Sequence, residues 1–414
     1  MNKMKKATVS VIAILISLIS IIVYNNEFDM IVKDETVNIG KESIAVEYAQ
    51  PKKKREKPGL ILFIHGDGPT NKNGDEGYYP AWETLAKENY ISISWDKAGV
   101  GGSTGNWMEQ DMVDRKQEAE KILKWALEKF DLDLRKVGVW GASQGGWVIT
   151  KLLNENKDVK FAIGVAPAVN WMRQGKFNTI SDMEYEGYSK KKIDEKLLIE
   201  TKVNDYLKEN DYQGYLDSNL EKDVLEKDRW DFIRKNMDLD NTSELEQISK
   251  PYYLVIGDHD LNVDTKETEK IYRDHINKEY LTVYPISNAT HRMLKPRHQK
   301  DSRMTVVETI FNPRKIFAPD YFKALKEIAS KKNIIPVLFN TRFLNHTTNN
   351  DRLNVNGPSK RRFKQIIIKK ENLKRFSFFI YKSTNFNPSM IIIKPFLLSK
   401  ANKIPCYSKS CLVA

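Results

Sequence analysis

The stretch Val137–Ile149, VGVWGASQGGWVI, sets a single serine among glycines at 141, 145 and 146. A β-branched apolar run leads into it as a strand would, and another apolar run follows. A sharp strand-to-helix turn strains its central residue and crowds the positions two before and two after, so both flanks have to be small. Gly141 and Gly145 occupy those flanks. Such a turn exposes the Ser143 hydroxyl at the carboxyl edge of a sheet and aims the next backbone N–H groups across the start of a helix. A serine hydroxyl is a weak nucleophile until a base takes its proton and an acid orients that base. Two later segments supply these types: LVIGDHDLNVD holds Asp258, Asp260 and Asp264 after one strand-like run, and YPISNATHRML holds His291 after the next. Serine, acid and histidine thus follow one another at the ends of three strand-like runs, the residue set of acyl transfer. The other histidines fit less well, since His259 adjoins the acid loop and His275 and His298 lie in charged stretches.

An acyl-transfer site also needs donors for the developing oxyanion. LFIHGDG, residues 62–68, is a glycine-rich turn after an apolar run, and it can bring a backbone N–H towards the serine. With the amide after the nucleophile, the donors would be those of Asp67 and Gln144. His65 in this turn reads as a buried residue that holds the loop. WDKAGVGGSTG, with Asp96 and glycines at 99, 101, 102 and 105, borders the same edge and reads as structural, because it contains no G-x-x-x-x-G-K-[ST] phosphate loop.

These residues need a scaffold of alternating elements. TVNI and SIAVEYA read as an opening hairpin, and GLILFIHG, YISISWD, KVGVWGAS, VKFAIGVAPA, YYLVIGD and YLTVYPI as strands. Glu109–Phe130 repeats apolar residues at helical spacing, and DYFKALKEIASKK is a closing helix. Strands separated by helices predict an α/β fold whose mostly parallel sheet is covered on both faces. From Val169 to Ser249 the chain is rich in Lys, Glu, Asp and Tyr with no strand pattern. It reads as a helical insertion which, placed after the elbow, would cap the carboxyl edge where ligands bind. The bland alternative is a solvated helical decoration with its aromatics packed inward.

Together, the H-G-x-G-P loop, the D-x-x-G-x-G-x-S turn, the G-x-S-x-G-G elbow, the G-x-x-D segment and the late histidine resemble the α/β-hydrolase superfamily over about residues 35–332. Bacterial esterases and dienelactone-hydrolase-like serine hydrolases are the members it resembles. The resemblance implies Ser143 as nucleophile, Asp260 as acid through the spacing Gly257-x-x-Asp260, and His291 as general base, with no cofactor and no metal. Asp67 departs from the family pattern, which commonly has a small residue or a hydroxyl there. A carboxylate beside an oxyanion is unhelpful unless it points away or caps loop amides.

Composition bounds the rest. With 414 residues, 41% of them hydrophobic, the chain can bury one large core or two modest ones. The net charge of +12 sits at one end: residues 333–414 hold 15 Lys and Arg against Asp351 and Glu371, leaving 52 bases and 53 acids before them. The body is near neutral, so no nucleic-acid groove is expected. Both cysteines, Cys406 and Cys411, are also in that tail, so the body has no thiol site. Lys3, Lys5 and Lys6 precede the uncharged run Ala7–Tyr24, roughly 27 Å as a helix. The organisation expected is a signal-anchor or signal segment over 1–25, a hydrolase domain over 26–332 with a cap at about 169–249, and a basic tail over 333–414 outside the fold. The lysines favour a cell-membrane anchor with the catalytic part outside, secretion being the alternative. The expected activity is hydrolysis of a small-molecule carboxylic ester, since nothing resembles the N-terminal propeller of prolyl oligopeptidase-like peptidases. Acyl transfer or peptidase action on the same residues, and non-catalytic binding, are the alternatives.

Overall fold

Short runs of β-branched and aromatic residues closed by Gly, Asp or Pro become strands where both faces of a central sheet can be covered. In the computed structural model, which describes residues 3–53, 56–299 and 302–331, eight such runs pair. They are β1 (Ile31–Ile39), β2 (Glu42–Gln50), β3 (Gly59–Ile64), β4 (Tyr90–Trp95), β5 (Val137–Ala142), β6 (Phe161–Val165), β7 (Tyr252–Gly257) and β8 (Leu281–Ile286). The sheet order is β1-β2-β4-β3-β5-β6-β7-β8. β1 and β2 form the expected hairpin, β2 runs antiparallel to β4, and the pairs from β4 through β8 are parallel. β3, β4, β6 and β7 are buried at every residue, which is why β3, β6 and β7 read as nearly continuous apolar runs, while β4 buries Ser92 and Ser94 between its apolar residues.

Ahead of the hairpin lies α1 (Lys3–Asn26), and between successive strands lie α2 (Tyr79–Lys87), α3 (Met112–Lys129) and α4 (Gly145–Glu155). Between β6 and β7 come α5 (Trp171–Tyr185), α6 (Lys190–Glu209), α7 (Tyr212–Ser218), α8 (Lys227–Asn236) and α9 (Thr242–Glu246). α10 (Thr265–His275) links β7 to β8, and α11 (Ser302–Phe311) and α12 (Pro319–Ser330) follow. One face of the sheet packs against α3, α4 and α10, through residues such as Ile122, Leu123, Trp147 and Tyr272. The other packs against α2 and α12, through Trp82, Leu85, Tyr321 and Leu325. This is the α/β-hydrolase fold, as its sequence resemblance implies.

α3 starts three residues later than its periodicity predicts. Asp111 caps it by accepting from Val113 N and Asp114 N, while Asp114 answers to the Asp111 amide, so the preceding Trp107–Glu109 is a separate 3-10 turn. Between β6 and β7 the described chain is helical, and a single bridge between Asn170 and Asp240 ties the base of the segment. Its aromatics join the core of the body: Trp171 stacks on Trp147 at 5.7 Å, and Trp230 stacks on Tyr215 at 4.9 Å.

Large apolar side chains are exposed all round α1 from Val11 to Val23. Its carboxyl end is fastened to the body, since Asn26 Nδ2 donates to Ile310 O and Arg314 donates to Asn25 O and Glu27 O. Among the described residues, no helix is long and apolar enough to cross a membrane. The expected membrane-crossing segment therefore finds no support there. The expected tail at 333–414 lies outside the described residues.

Candidate active site

The elbow serine sits where β5 ends and α4 begins, at φ 50°, a left-handed conformation that a non-glycine residue adopts only when its surroundings impose it. Those surroundings are tight. The Ser143 amide donates to Val165 O on the neighbouring strand, and its carbonyl accepts from Gly146 N. A Cβ at Gly141 would lie 2.6 Å from Gly145 O, and one at Gly145 would lie 2.5 Å from Ile64 O at the end of β3. Both flanks are thus glycine because backbone, joined at Gly141 by the Ile149 side chain at 2.7 Å, fills the space. The second contact also seats the start of α4 against the strand that leads into the His65–Gly68 turn.

That turn lies beside the serine, with the position of a Cβ on Gly66 falling 3.3 Å from Ser143 Cβ. Three carbonyls fix its orientation. Lys97 Nζ donates to Gly66 O at 2.6 Å and to Gly68 O at 2.8 Å, and Arg115 Nη2 donates to His65 O. In a trans peptide the C=O and the next N–H point in opposite directions. With Gly66 O turned to Lys97, the Asp67 N–H is turned away from it, and this N–H donates to no acceptor among the described residues. Lys97 is buried, and desolvation, reinforced by Arg115, holds its ammonium well below the usual lysine range. Its remaining face looks onto the Trp107 ring, 4.8 Å from the centroid.

His65 does not reach the serine. Its Nε2 lies 2.6 Å from Trp95 O, which can only accept, so Nε2 carries the proton and Nδ1 accepts from the Tyr78 hydroxyl at 2.8 Å. Burial, with Lys97 adding to it, lowers its pKa to about 3, so the ring stays neutral and holds the loop. Asp96 is likewise structural, accepting from Lys72 N and Gly102 N across the turn that follows β4.

On the far side of the elbow, the loop after β7 and the loop after β8 bring His291 and Asp260 together. His291 Nδ1 lies 2.9 Å from Asp260 Oδ2, with the carboxylate fully buried and the imidazole 15% exposed. Asp260 Oδ1 accepts from Asn262 N and Val263 N, which fixes the carboxylate before it meets the ring. The other two carboxylates have different partners. Asp258 is exposed and pairs with His259, and Asp264 caps α10 by accepting from Lys266 N and Glu267 N. His275 pairs with Glu246, and His298 lies between Thr305 and Glu308. A histidine held through Nδ1 presents Nε2 for proton transfer. Ser143 Oγ makes no hydrogen bond among the described residues, as is common before substrate draws such groups together.

Asp67 is answered by a residue that the sequence did not single out. Arg229 on α8 grips the carboxylate with both Nη atoms, at 3.0 and 2.6 Å. Arg115 carried a readable signal, because it falls on the apolar stripe of α3 between Met112 and Ala119, where a charge has to have a buried partner. Lys97 and Arg229 carried none, since their partners arrive from loops and helices far along the chain.

The sequence pattern of the X-Pro dipeptidyl-peptidase (S15) family matches residues 41–291. Among curated relatives, the Probable dipeptidyl-aminopeptidase B of Sclerotinia sclerotiorum is 29% identical over 153 residues, 33% of this chain and 16% of that protein. Its namesake from Botryotinia fuckeliana is 27% identical over the same length and coverage. The chain thus spans about one sixth of the length of these relatives. Similar solved structures include an esterase of Pyrococcus furiosus, 17% identical, covering 70% of this chain and 92% of that one at a TM-score of 0.44. An alpha/beta hydrolase from Penicillium is 13% identical, covering 70% and 99% at a TM-score of 0.45.

Proposed function

This chain belongs to the X-Pro dipeptidyl-peptidase (S15) family, which places it among serine hydrolases of the α/β fold, and from that premise we propose that it cleaves carboxylic esters through an acyl-enzyme on Ser143. The observation that carries the reading is the buried Asp260–His291 pair on loops that flank an elbow serine. His291 takes the Ser143 proton as Oγ attacks the acyl carbon, and the amides of Asp67 and Gln144 receive the oxyanion. The imidazolium then returns its proton to the leaving alcohol, and water repeats the cycle on the acyl-enzyme. Each oxyanion donor contributes roughly 3–4 kcal/mol in the transition state. No step requires a cofactor.

Peptidase action is the second reading, and the family match favours it. The same groups would serve, with His291 protonating an amine instead of an alcohol. The two separate in one experiment. A p-nitrophenyl ester chain-length series and an X-Pro p-nitroanilide are compared on unlabelled protein, while a parallel sample is titrated with a fluorophosphonate to count its reactive serine. The expected result is labelling, with a kcat/KM that is highest on a short ester and far lower on the anilide. Preference for the anilide would make the chain a peptidase.

The reading also places residues 1–25 at a membrane, with Lys3, Lys5 and Lys6 on the cytoplasmic side and residues 26–332 outside. What supports it is the all-round apolar exposure of α1. The full chain should float with phosphatidylcholine–phosphatidylglycerol vesicles, while a chain starting at residue 26 stays at the bottom of the gradient. Equal flotation of both would place any membrane contact elsewhere.

A further inference from the structure

The Asp67–Arg229 pair joins residues 162 apart in sequence. It is the only ion pair among the described residues that links the His65–Gly68 turn to the helices lying between β6 and β7. The contact is two-pronged, and each side chain is 21% exposed, so the charges are largely withdrawn from water. Arg229 is itself held. Its guanidinium lies 5.0 Å from the centre of the Phe232 ring and 6.0 Å from that of Trp107, and Phe232 meets Trp107 edge-on at 5.1 Å. α8 is fixed beneath it by the buried Trp230, stacked on Tyr215, and Lys235 donates to Glu109 O. On the other side, the carbonyls of the turn are held from the body by Lys97 and Arg115, which leaves the Asp67 amide turned away from Lys97 and without an acceptor among the described residues.

The position of the charge is what makes the pair consequential. A carboxylate one residue's reach from its own amide stands beside the point where an oxyanion forms, and like charges at such a distance in a half-buried site repel strongly. An aspartate there raises the transition state unless a cation neutralises it and draws it aside. The α/β-hydrolase pattern this loop resembles commonly has a small residue or a hydroxyl there, whereas this chain has Asp67 and supplies the cation from α8.

We propose that Arg229 is a positioning residue that keeps the oxyanion hole functional by neutralising Asp67 and turning its carboxylate away from the Asp67 amide, so that closure of the α5–α9 segment over the turn is a condition of catalysis. The proposal rests on the serine-hydrolase reading, and it gives that segment a role in the chemical step as well as in enclosing substrate. Arg229 does not touch the reacting atoms.

The test uses the full-length protein, an uncharged ester such as p-nitrophenyl butyrate, and three variants. Arg229→Met should lower kcat by about 10- to 100-fold with KM changed little, because the loss falls on the transition state. Adding Asp67→Asn in the Arg229→Met background should recover most of that loss, since it removes the charge left unpaired. Arg229→Lys should lie between wild type and Arg229→Met, a point cation being a poorer partner for a carboxylate than a fork. A double variant as impaired as Arg229→Met, with both melting lower, would reduce the pair to a structural clasp and overturn the proposal. So would a raised KM with unchanged kcat, which would make Arg229 a substrate-binding group. If wild type neither turns over the ester nor reacts with fluorophosphonate, the serine-hydrolase reading itself fails and the proposal with it. A labelled, active wild type with an equally active Arg229→Met overturns the proposal alone.

Discussion

Ser143→Ala should abolish ester turnover, with kcat falling by roughly 10⁶-fold, the order found where a triad serine is removed and only the hole and binding remain. His291→Ala should cost a comparable amount, and the double variant should be no slower than either single one. The reason is mechanistic unity. Without His291 the Ser143 hydroxyl keeps its proton, and without Ser143 the imidazole has nothing to activate, so the second deletion removes nothing that still acts. Fluorophosphonate labelling should vanish in Ser143→Ala and fall sharply in His291→Ala. Neither change should unfold the chain: Ser143 contributes only backbone bonds to the turn, and His291 has Asp260 as its single described partner. Steady-state kinetics together with thermal melts decide the matter. Losses that multiply across the two variants, or a Ser143→Ala protein that keeps its turnover, would remove Ser143 from the chemistry.

Much of this site could be read before any coordinate, and the reasons are local. Gly141 and Gly145 flank Ser143 because backbone atoms from Gly145 and from the end of β3 occupy the space that side chains would need, and a requirement of that kind is written into the sequence as glycine. Buried parallel strands announce themselves as short runs dominated by apolar and aromatic residues, which locates β3 to β7 closely. Elements whose pattern is short or dense in charge were harder to see. α2 has only nine residues, and α10, TKETEKIYRDH, buries just Thr268 and Tyr272, so neither presents a long apolar period. The start of α3 was misplaced because apolar spacing runs on through the Trp107–Glu109 turn, and only the Asp111 cap marks the boundary.

Long-range charge pairing was the least legible feature. The sequence showed Asp67 as an anomaly, a carboxylate where a small residue is usual, and stated the two geometries that would make it tolerable. It held nothing to say that the answer would be Arg229, because a salt bridge depends on how α8 is laid against the turn. Lys97 is a comparable case: it follows Asp96 in a glycine-rich turn that gives no sign of its partners, yet it is buried and donates to the Gly66 and Gly68 carbonyls. Anomalies of residue type were visible, and their partners were not.

The acid is where sequence left three candidates and geometry separates them. Asp260→Asn should lower kcat by about 10⁴-fold while preserving the fold, because an amide can still accept from Asn262 N and Val263 N but no longer stabilises an imidazolium or dictates its tautomer. Asp258→Asn and Asp264→Asn should change kcat by no more than about threefold, since exposed pairs contribute little and asparagine caps a helix nearly as well as aspartate. The contrast follows from burial as much as from distance. Asp260 is wholly enclosed and spends one oxygen on the backbone and the other on His291 at 2.9 Å, whereas the Asp258 carboxylate is half exposed against a neighbouring histidine. A buried carboxylate fixed beside the ring is placed to stabilise the positive charge that His291 takes on in the transition state. Measuring kcat for the three variants on one ester, with melting temperatures as the control for folding, tests the assignment directly. If Asp264→Asn is the most damaging, the acid lies on the α10 cap and the Asp260–His291 contact is only structural.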